Sequence, residues 1–587
     1  MQIPSAPDVK MVFAENLEIG KSASALRPLL VVAKPDPVPS YNSFGYRFQT
    51  DCYIILESGE IVSIFPEFMF AGSSTTWEAI AGLLKSGSGW IDASEITSTY
   101  CSLMSREDNY RDLVSRLGLE LAVSVLRRLG DAVVVKMEAR DDERLRLIES
   151  EPFALSMLRM NESWTAFRRA ARHLRYAPIP EVEDAAVTFG MAVDLPSANN
   201  RYMVDFNFGY DRLIRGRLAV LIGRNGTGKS QLLLSLIDGL TSHPTVKLVS
   251  RERRVRFAHS KFGKLKFGAP AFSRVVVFSS TPSDLYPVSI PPWLGIDYQF
   301  FSLTRSVESG VDSVTASILD CWRDDERTAL PEIENEHPTA SQPPRLKLLK
   351  SILKPLDLWD GLHIPLKEGD DSRQHTMIEW QGRGYVKAGR VTNEQKRLLT
   401  FRQIDLSSAP ILLDRRTFHP RHLSSGEMVM FRFAAQASAA VETGSLFLFD
   451  EPETHLHPHF ISDFVEILHP LLESTKSVAI AATHSAYLVR EAPSRRVRIL
   501  RVEDRIVSIT PPRLQTFGAG IDEISSAVFS DFEIGHQYQS TLRKWVDSLD
   551  PDVTIEWVLS EFGREMNPET LSFIRRLLES REQDGSA

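Results

Sequence analysis

The stretch "GRLAVLIGRNGTGKSQLLLSLIDGL" (Gly216–Leu240) decides the fold. Its opening, Leu218–Ile222, is a short unbroken apolar run of the kind that forms a strand buried on both faces. Its close, Gln231–Leu240, reads as a buried helix. Between them, Gly223-Arg224-Asn225-Gly226-Thr227-Gly228-Lys229-Ser230 fits the pattern G-x-x-x-x-G-K-[ST]. The glycines let backbone N–H groups turn inward around phosphate oxygens, and the following helix aims its positive end at the same place. At this spacing Lys229 reaches the β- and γ-phosphates, Ser230 ligates Mg²⁺, and Gln231 completes the nucleotide-contacting set. A chance match would lack the strand–loop–helix context that this one has.

A phosphate loop needs an acid on a neighbouring buried strand to hold the metal. "SLFLFDEPETHLHPHF" (Ser445–Phe460) supplies Asp450 at the end of an apolar run. Glu451 follows, where a water-orienting base would stand. The plain alternative is a strand ending in solvated acids. "HLSSGE" (His422–Glu427) precedes a helix expected from Glu427 to about Val441. Ser424, Ser425 and Gly426 there offer backbone donors at a helix start, a second anion site. The bland reading is an ordinary cap, with Ser425 as the capping residue. "AIAATHS" places His484 just past a further buried strand. Each feature has a respectable bland reading; their joint order does not.

The 587 residues allow about three or four domains. At 43% hydrophobic and 25% charged residues the composition is that of a globular protein. A net charge of −8 argues against wholesale nucleic-acid coating but leaves room for a local basic patch. Cys52, Cys101 and Cys321 fit no metal spacing, which points to a reducing, cytoplasmic setting. Neither a signal peptide nor a membrane span is read.

Five regions follow from the pattern. Residues 1–182 read as an α/β accessory domain, with two strands around Ser58-Gly59 and a helical pattern over Asp112–Gly130. "RYAPIPEVEDA" reads as a linker. Residues 183–311 carry the phosphate loop. Residues 312–410 read as an inserted helical arm containing the loop "PEIENEHPTASQPP". Residues 411–515 hold the second half of the engine, and 516–587 a helical tail.

With these motifs in place the chain resembles the ABC-type ATPases. It is most similar to their soluble SMC/Rad50-like, OLD and Septu-type branch from bacterial anti-phage defence. LSSGE looks like the LSGGQ signature, and "DEPETHLHP" resembles the extended acidic motif of that branch. "VVVFSSTPSDLYP", "LGIDYQFFSLTR" and "PPRLQTFGAGIDEISSAVF" echo it as well. The likeness spans roughly residues 185–535. It implies an α/β P-loop fold, ATP and Mg²⁺ as ligands, and an ATP-dependent homodimer or higher oligomer. In that dimer Ser425 and Gly426 would complete the partner's site. It gives His484 a γ-phosphate-sensing role and places His455, His457 and His459 in an interface loop. It further implies a regulatory subunit acting on a separate effector, a nuclease or toxin. No Q-loop residue is assigned; Tyr202 and Phe206 are the candidates for an adenine-stacking aromatic, and neither is favoured.

Competing activities are less well supported. A fused Toprim nuclease would need more than Asp550 and Asp552. The R-x-x-x-x-H matches at Arg168–His173 and Arg254–His259 are at chance level. A zinc site at the three histidines lacks a suitably placed cysteine or acid. Transport is disfavoured by the long span between Gly228 and Leu423. The basic run "SRERRVRFAHSKFGKLKF" (Ser250–Phe267) could contact nucleic acid through Arg253, Arg254 and Lys261, or could be a solvated hairpin. Other readings are a DNA repair or maintenance ATPase of the Rad50/RecF style and a nucleotide-gated scaffold.

Overall fold

A computed structural model describes residues 8–35, 45–84, 89–138, 141–150, 152–174, 185–195, 198–209, 217–241, 255–261, 264–266, 270–280, 286–287, 297–303, 307–308, 311–325, 344–369, 376–389, 400–414, 416–454, 456–529, 537–550, 553–563 and 566–584. The linker and polar loop read from the sequence lie outside these, apart from Ala185 and Pro344.

Seven strands make the central sheet, in the order Asp297–Ser302, Arg274–Ser279, Leu446–Asp450, Val478–Thr483, Leu218–Gly223, Val497–Glu503 and Ile506–Thr510. The first six run parallel and the last is antiparallel. Four of them are buried along their whole length, which is why they appear as unbroken apolar runs. Register brings Ile222 opposite Thr483, Asp450 opposite Ala482, and Ser279 opposite Asp450. The carboxyl ends of four strands therefore meet along one edge, where open α/β sheets hold ligands.

One face of the sheet packs on the helix Lys229–Thr241 and a four-stranded antiparallel sheet. Phe189, Tyr202, Leu233 and Leu236 share that core. The opposite face is covered by the helices Ser313–Asp325, Arg345–Leu353, Ser425–Ala440 and Pro458–Ser474.

The helical-arm expectation for residues 312–410 needs correction. The two helices here do not project. They bury Val314, Ile318, Trp322 and Leu349 in the main core, because their apolar stripes need the signature helix as a partner. The described residues here also include strands: Ile378–Trp380, Arg383–Val386 and Leu362–Pro365 join Ile411–Leu413 and Pro420–Arg421 in an antiparallel sheet. The 112–130 pattern is likewise two helices, Glu107–Leu117 and Leu119–Arg128. They are broken at Gly118, whose φ of 74° leaves the helical region.

The N-terminal residues form a five-stranded sheet and a set of helices around a core of their own. At the far end, helices Gln537–Ser548, Ile555–Phe562 and Pro568–Asp584 gather around Val546, Val558 and Ile574.

A buried ionic cluster joins the N-terminal unit to the ATP-motif core. Glu442, just past the signature helix, is 3% exposed. Arg345 approaches it to 3.0 Å, Arg172 to 3.3 Å and Arg274 to 3.6 Å. Arg345 also donates to Ser438 and Ala439 carbonyls, and Arg274 to that of Ala440. These are the open carbonyls of a helix C-terminus, where cations are favoured. Arg172 comes from the N-terminal unit and also meets Glu107 at 2.5 Å. Burial alone would raise Glu442; Arg172, Arg274, Arg169 and Arg345 overcome it and hold the carboxyl well below its usual range. Glu107 is likewise held at about 2, against burial, by Arg172, His173 and Arg169.

Removing one member of such a cluster leaves its charges uncompensated. Glu442→Leu is expected to cost about 3–5 kcal/mol of stability in urea unfolding. Both carboxyls titrate lower when folded, so the unfolded chain binds more protons in acid. Their stabilisation is complete above about pH 5 and is lost as pH falls toward about 2. The urea midpoint of the parent should fall over that window more steeply than that of the variant.

Candidate nucleotide site

The phosphate loop follows the strand Leu218–Gly223 and leads into the helix Lys229–Thr241. Gly226 and Gly228 have φ of 80° and 91°, a region that only glycine enters freely. A Cβ on Gly228 would lie 2.8 Å from the Tyr202 hydroxyl. That hydroxyl donates to the Thr227 carbonyl at 3.0 Å and braces the loop from beneath. Arg224 and Asn225 stand exposed at the tip. Lys229 is 5% exposed, and its ammonium donates to the carbonyls of Gly223 at 2.9 Å and Arg224 at 3.1 Å. Burial lowers the Lys229 pKa, partly offset by Glu451 and Asp450. The ammonium is thus desolvated, as an anion-binding lysine should be.

Ser230 donates to Asp450 Oδ1 at 3.0 Å, closing a contact between residues 220 apart in sequence. Asp450 is fully buried, and burial raises its pKa against the hydrogen bonds that lower it. Its second oxygen accepts from the Tyr286 hydroxyl at 2.9 Å. Gln231 follows on the same first turn of the helix, its carbonyl accepting from Ser235 at 2.7 Å.

Glu451 adopts φ of 51°. A non-glycine residue held there costs about 1–3 kcal/mol, and such strain persists where the surroundings impose it. The strand does so: Glu451 N–H donates to Ala482 at 2.8 Å. The turn aims the side chain at His484, whose Nδ1 lies 3.8 Å from Glu451 and 3.3 Å from Glu453. Glu453 is buried and accepts from the Thr483 hydroxyl and, at 2.9 Å, from His484 N–H. The structure thus brings Gly223–Gln231, Asp450, Glu451 and His484 to one edge of the sheet.

Ser424, Ser425 and Gly426 start a different helix, Ser425–Ala440. Ser424, rather than Ser425, is the cap. Its hydroxyl accepts from Glu427 N–H at 3.3 Å, and Glu427 accepts in return from Ser424 N–H at 2.8 Å. Arg421 grips Glu427 with two 2.8 Å bonds and, as the leading cause, pulls it down to about 2. Both serines are exposed. Gly426 is buried, and a Cβ there would come 2.5 Å from the Phe460 ring.

The adenine expectation is corrected, and the other candidates take the following places. Tyr202 and Phe206 are 1% and 3% exposed, so neither offers a face for adenine; packing against the P-loop helix consumes both. His457 caps the helix Pro458–Ser474, its ring accepting from His459 N–H at 3.4 Å. His455 lies outside the described residues, and no metal-binding group of three appears among those described. Arg253 and Arg254 also lie outside them. Lys261 ends a strand, Val255–Lys261, that pairs with Lys264–Lys266 in the hairpin read as the solvated alternative. Arg168 and His173 are engaged with Asp320 and Glu107.

Two site residues escaped the sequence reading. Glu453 is the third acid of D-E-P-E, and its spacing two residues past Glu451 was the available signal. Tyr286 sits in "SDLYP", where only the tertiary fold shows what it reaches.

Residues 393–490 match a protein-family model described as "AAA domain, putative AbiEii toxin, Type IV TA system". That segment is similar to an AAA-type domain. The matched segment contains the signature, Asp450, Glu451 and His484; the fold supplies the phosphate loop from outside it. A protein of Escherichia phage lambda, ea59, is 23% identical over 501 residues, covering 84% of this chain and 85% of that protein. Among solved structures, an SMC head domain from Thermotoga maritima is 12% identical, with a TM-score of 0.25 over 55% of this chain and 98% of its own. An ATP-binding cassette of an ABC transporter in its ADP conformation is 14% identical, with a TM-score of 0.26 over 60% of this chain and 99% of its own. Among the described residues, no helix is long and apolar enough to cross a membrane.

Gly228→Ala forces a Cβ into both a disfavoured φ and the Tyr202 hydroxyl. At about 1–3 kcal/mol of strain, affinity for a fluorescent ATP analogue should fall about 5- to 100-fold by equilibrium titration.

Proposed function

We propose that this domain hydrolyses ATP with Mg²⁺ and that ATP binding joins two copies of the chain. The observation that carries the reading is the Ser230–Asp450 contact at 3.0 Å beside Lys229. A hydroxyl and a carboxylate at that separation are the hard oxygen ligands a magnesium ion selects. Bound magnesium neutralises charge on the transferred phosphoryl group. Lys229 and the loop amides grip phosphate oxygens. Glu451 accepts a proton from the attacking water, aimed by its strained backbone. His484 stands on the next strand end, where it can contact the γ-phosphate, and Glu453 fixes its position.

Ser424, Ser425 and Gly426 are spare in this scheme, since they start a helix away from these groups, with both serines facing solvent. They are assigned to the partner copy's nucleotide. Glu451→Gln should lower kcat about 10²- to 10⁴-fold while leaving ATP binding intact. In saturating Mg-ATP that variant should run as a dimer by light scattering. Turnover at the parental rate would refute the assignment of Glu451, and a persistent monomer that of the signature.

The biological role we infer is that of a regulatory ATPase in phage–host conflict, acting in the cytoplasm on a separate nuclease or toxin. The matched model's toxin–antitoxin description and the phage-encoded relative support it. Nucleic acid contact is assigned to the hairpin region through Arg253, Arg254 and Lys261. Neutralising the three should weaken DNA or RNA binding and reduce its salt slope; an unchanged slope would dismiss the patch.

A further inference from the structure

The strand Arg274–Ser279 lies directly beside the Asp450 strand, with Ser279 opposite Asp450. Tyr286, further along the chain, reaches the same acid. That tyrosine is 3% exposed, and its hydroxyl donates to Asp450 Oδ2 at 2.9 Å. Its ring stacks on Phe300, with centroids 6.2 Å apart and planes at 24°. The next residue is pinned as well, since the Tyr298 hydroxyl donates to the Pro287 carbonyl at 2.8 Å. Both anchors come from the edge strand Asp297–Ser302. The phenol is thus held by the sheet, not merely resting on the acid.

The two oxygens of Asp450 have different partners. Oδ1 accepts from Ser230 and Oδ2 from Tyr286. The Ser230 oxygen has a second claim on it in the proposed site, because it is also a metal ligand. The Tyr286 hydroxyl has no other hydrogen-bond partner among the described contacts. We propose that Tyr286 is a positioning residue for the metal centre: its hydroxyl fixes the plane of the Asp450 carboxylate so that Oδ1 faces Ser230 and the cation. The inference rests on the magnesium–nucleotide reading above. Groups that orient a metal ligand from outside typically contribute 10- to 100-fold in metal affinity.

Tyr286→Phe removes the hydroxyl and keeps the ring on Phe300. The test counts Mn²⁺ bound to the full chain with ADP by electron paramagnetic resonance, beside ADP affinity measured in EDTA. The expected result is a 10- to 100-fold weaker Mn²⁺ affinity, with metal-free ADP affinity within about twofold of the parent. Unchanged or tighter Mn²⁺ binding would overturn the proposal. So would an equal loss of both affinities, which would mark the tyrosine as a support of the loop as a whole. If the parent chain itself binds no Mn²⁺ with ADP, the nucleotide reading fails first and this inference with it.

Discussion

The structure depends on one contact, the hydrogen bond from Ser230 to Asp450. It joins residues 220 apart at 3.0 Å, and it forms only if two strand registers are correct together. Leu218–Gly223 must pair with Val478–Thr483, which must pair with Leu446–Asp450. A slip of one residue in either pairing would move the acid by a strand rise of about 3.3 Å and turn it to the other face. Continuous burial on both faces gives the apolar contacts that hold these strands in place. The core and the site are therefore one construction: the packing that excludes water also raises Asp450 and lowers Lys229.

A second ionic centre lies at the opposite end of the signature helix. Ser424 and Glu427 cap its start, and Arg274 and Arg345 hold its last carbonyls around Glu442. Arg172 extends that centre into the N-terminal unit, and Asp324 extends it into the inserted region through Arg345 at 3.0 Å. The helix that begins with Ser425 and Gly426 is thus anchored by the N-terminal unit through Arg172, by Arg274 beside the central sheet and by the inserted region through Arg345. A displacement of the N-terminal unit would have to break Arg172 from Glu442 or shift the helix.

The part of the fold that carries the phosphate loop and Asp450 was legible because its signals are local. A glycine-rich loop between an apolar run and a helix, and an acid ending another such run, need no tertiary information. The inserted region was not legible on the same terms. Its charged composition resembles a solvated helical arm, yet Val314, Ile318 and Trp322 are buried against the signature helix. Its strands are only three or four residues long, too short to show a two-residue period. Gly118 divides one apparent helix in two through a positive φ that periodicity does not register. Tyr286 was invisible for a different reason. A tyrosine in a proline-containing loop carries no motif, and its role appears only when Asp450 is found 2.9 Å away. Tyr202 erred in the other direction: aromatic character suggested adenine, whereas the structure uses its oxygen under the loop.

The central claim is that two distant segments make one nucleotide site per chain. Calorimetric titration of the full chain with a non-hydrolysable ATP analogue and Mg²⁺ tests it most directly. The structure predicts one analogue bound per chain, lost in Lys229→Ala and weakened in Asp450→Asn only when Mg²⁺ is present. Binding that survives Lys229→Ala, or that ignores Asp450 at every Mg²⁺ concentration, would contradict it.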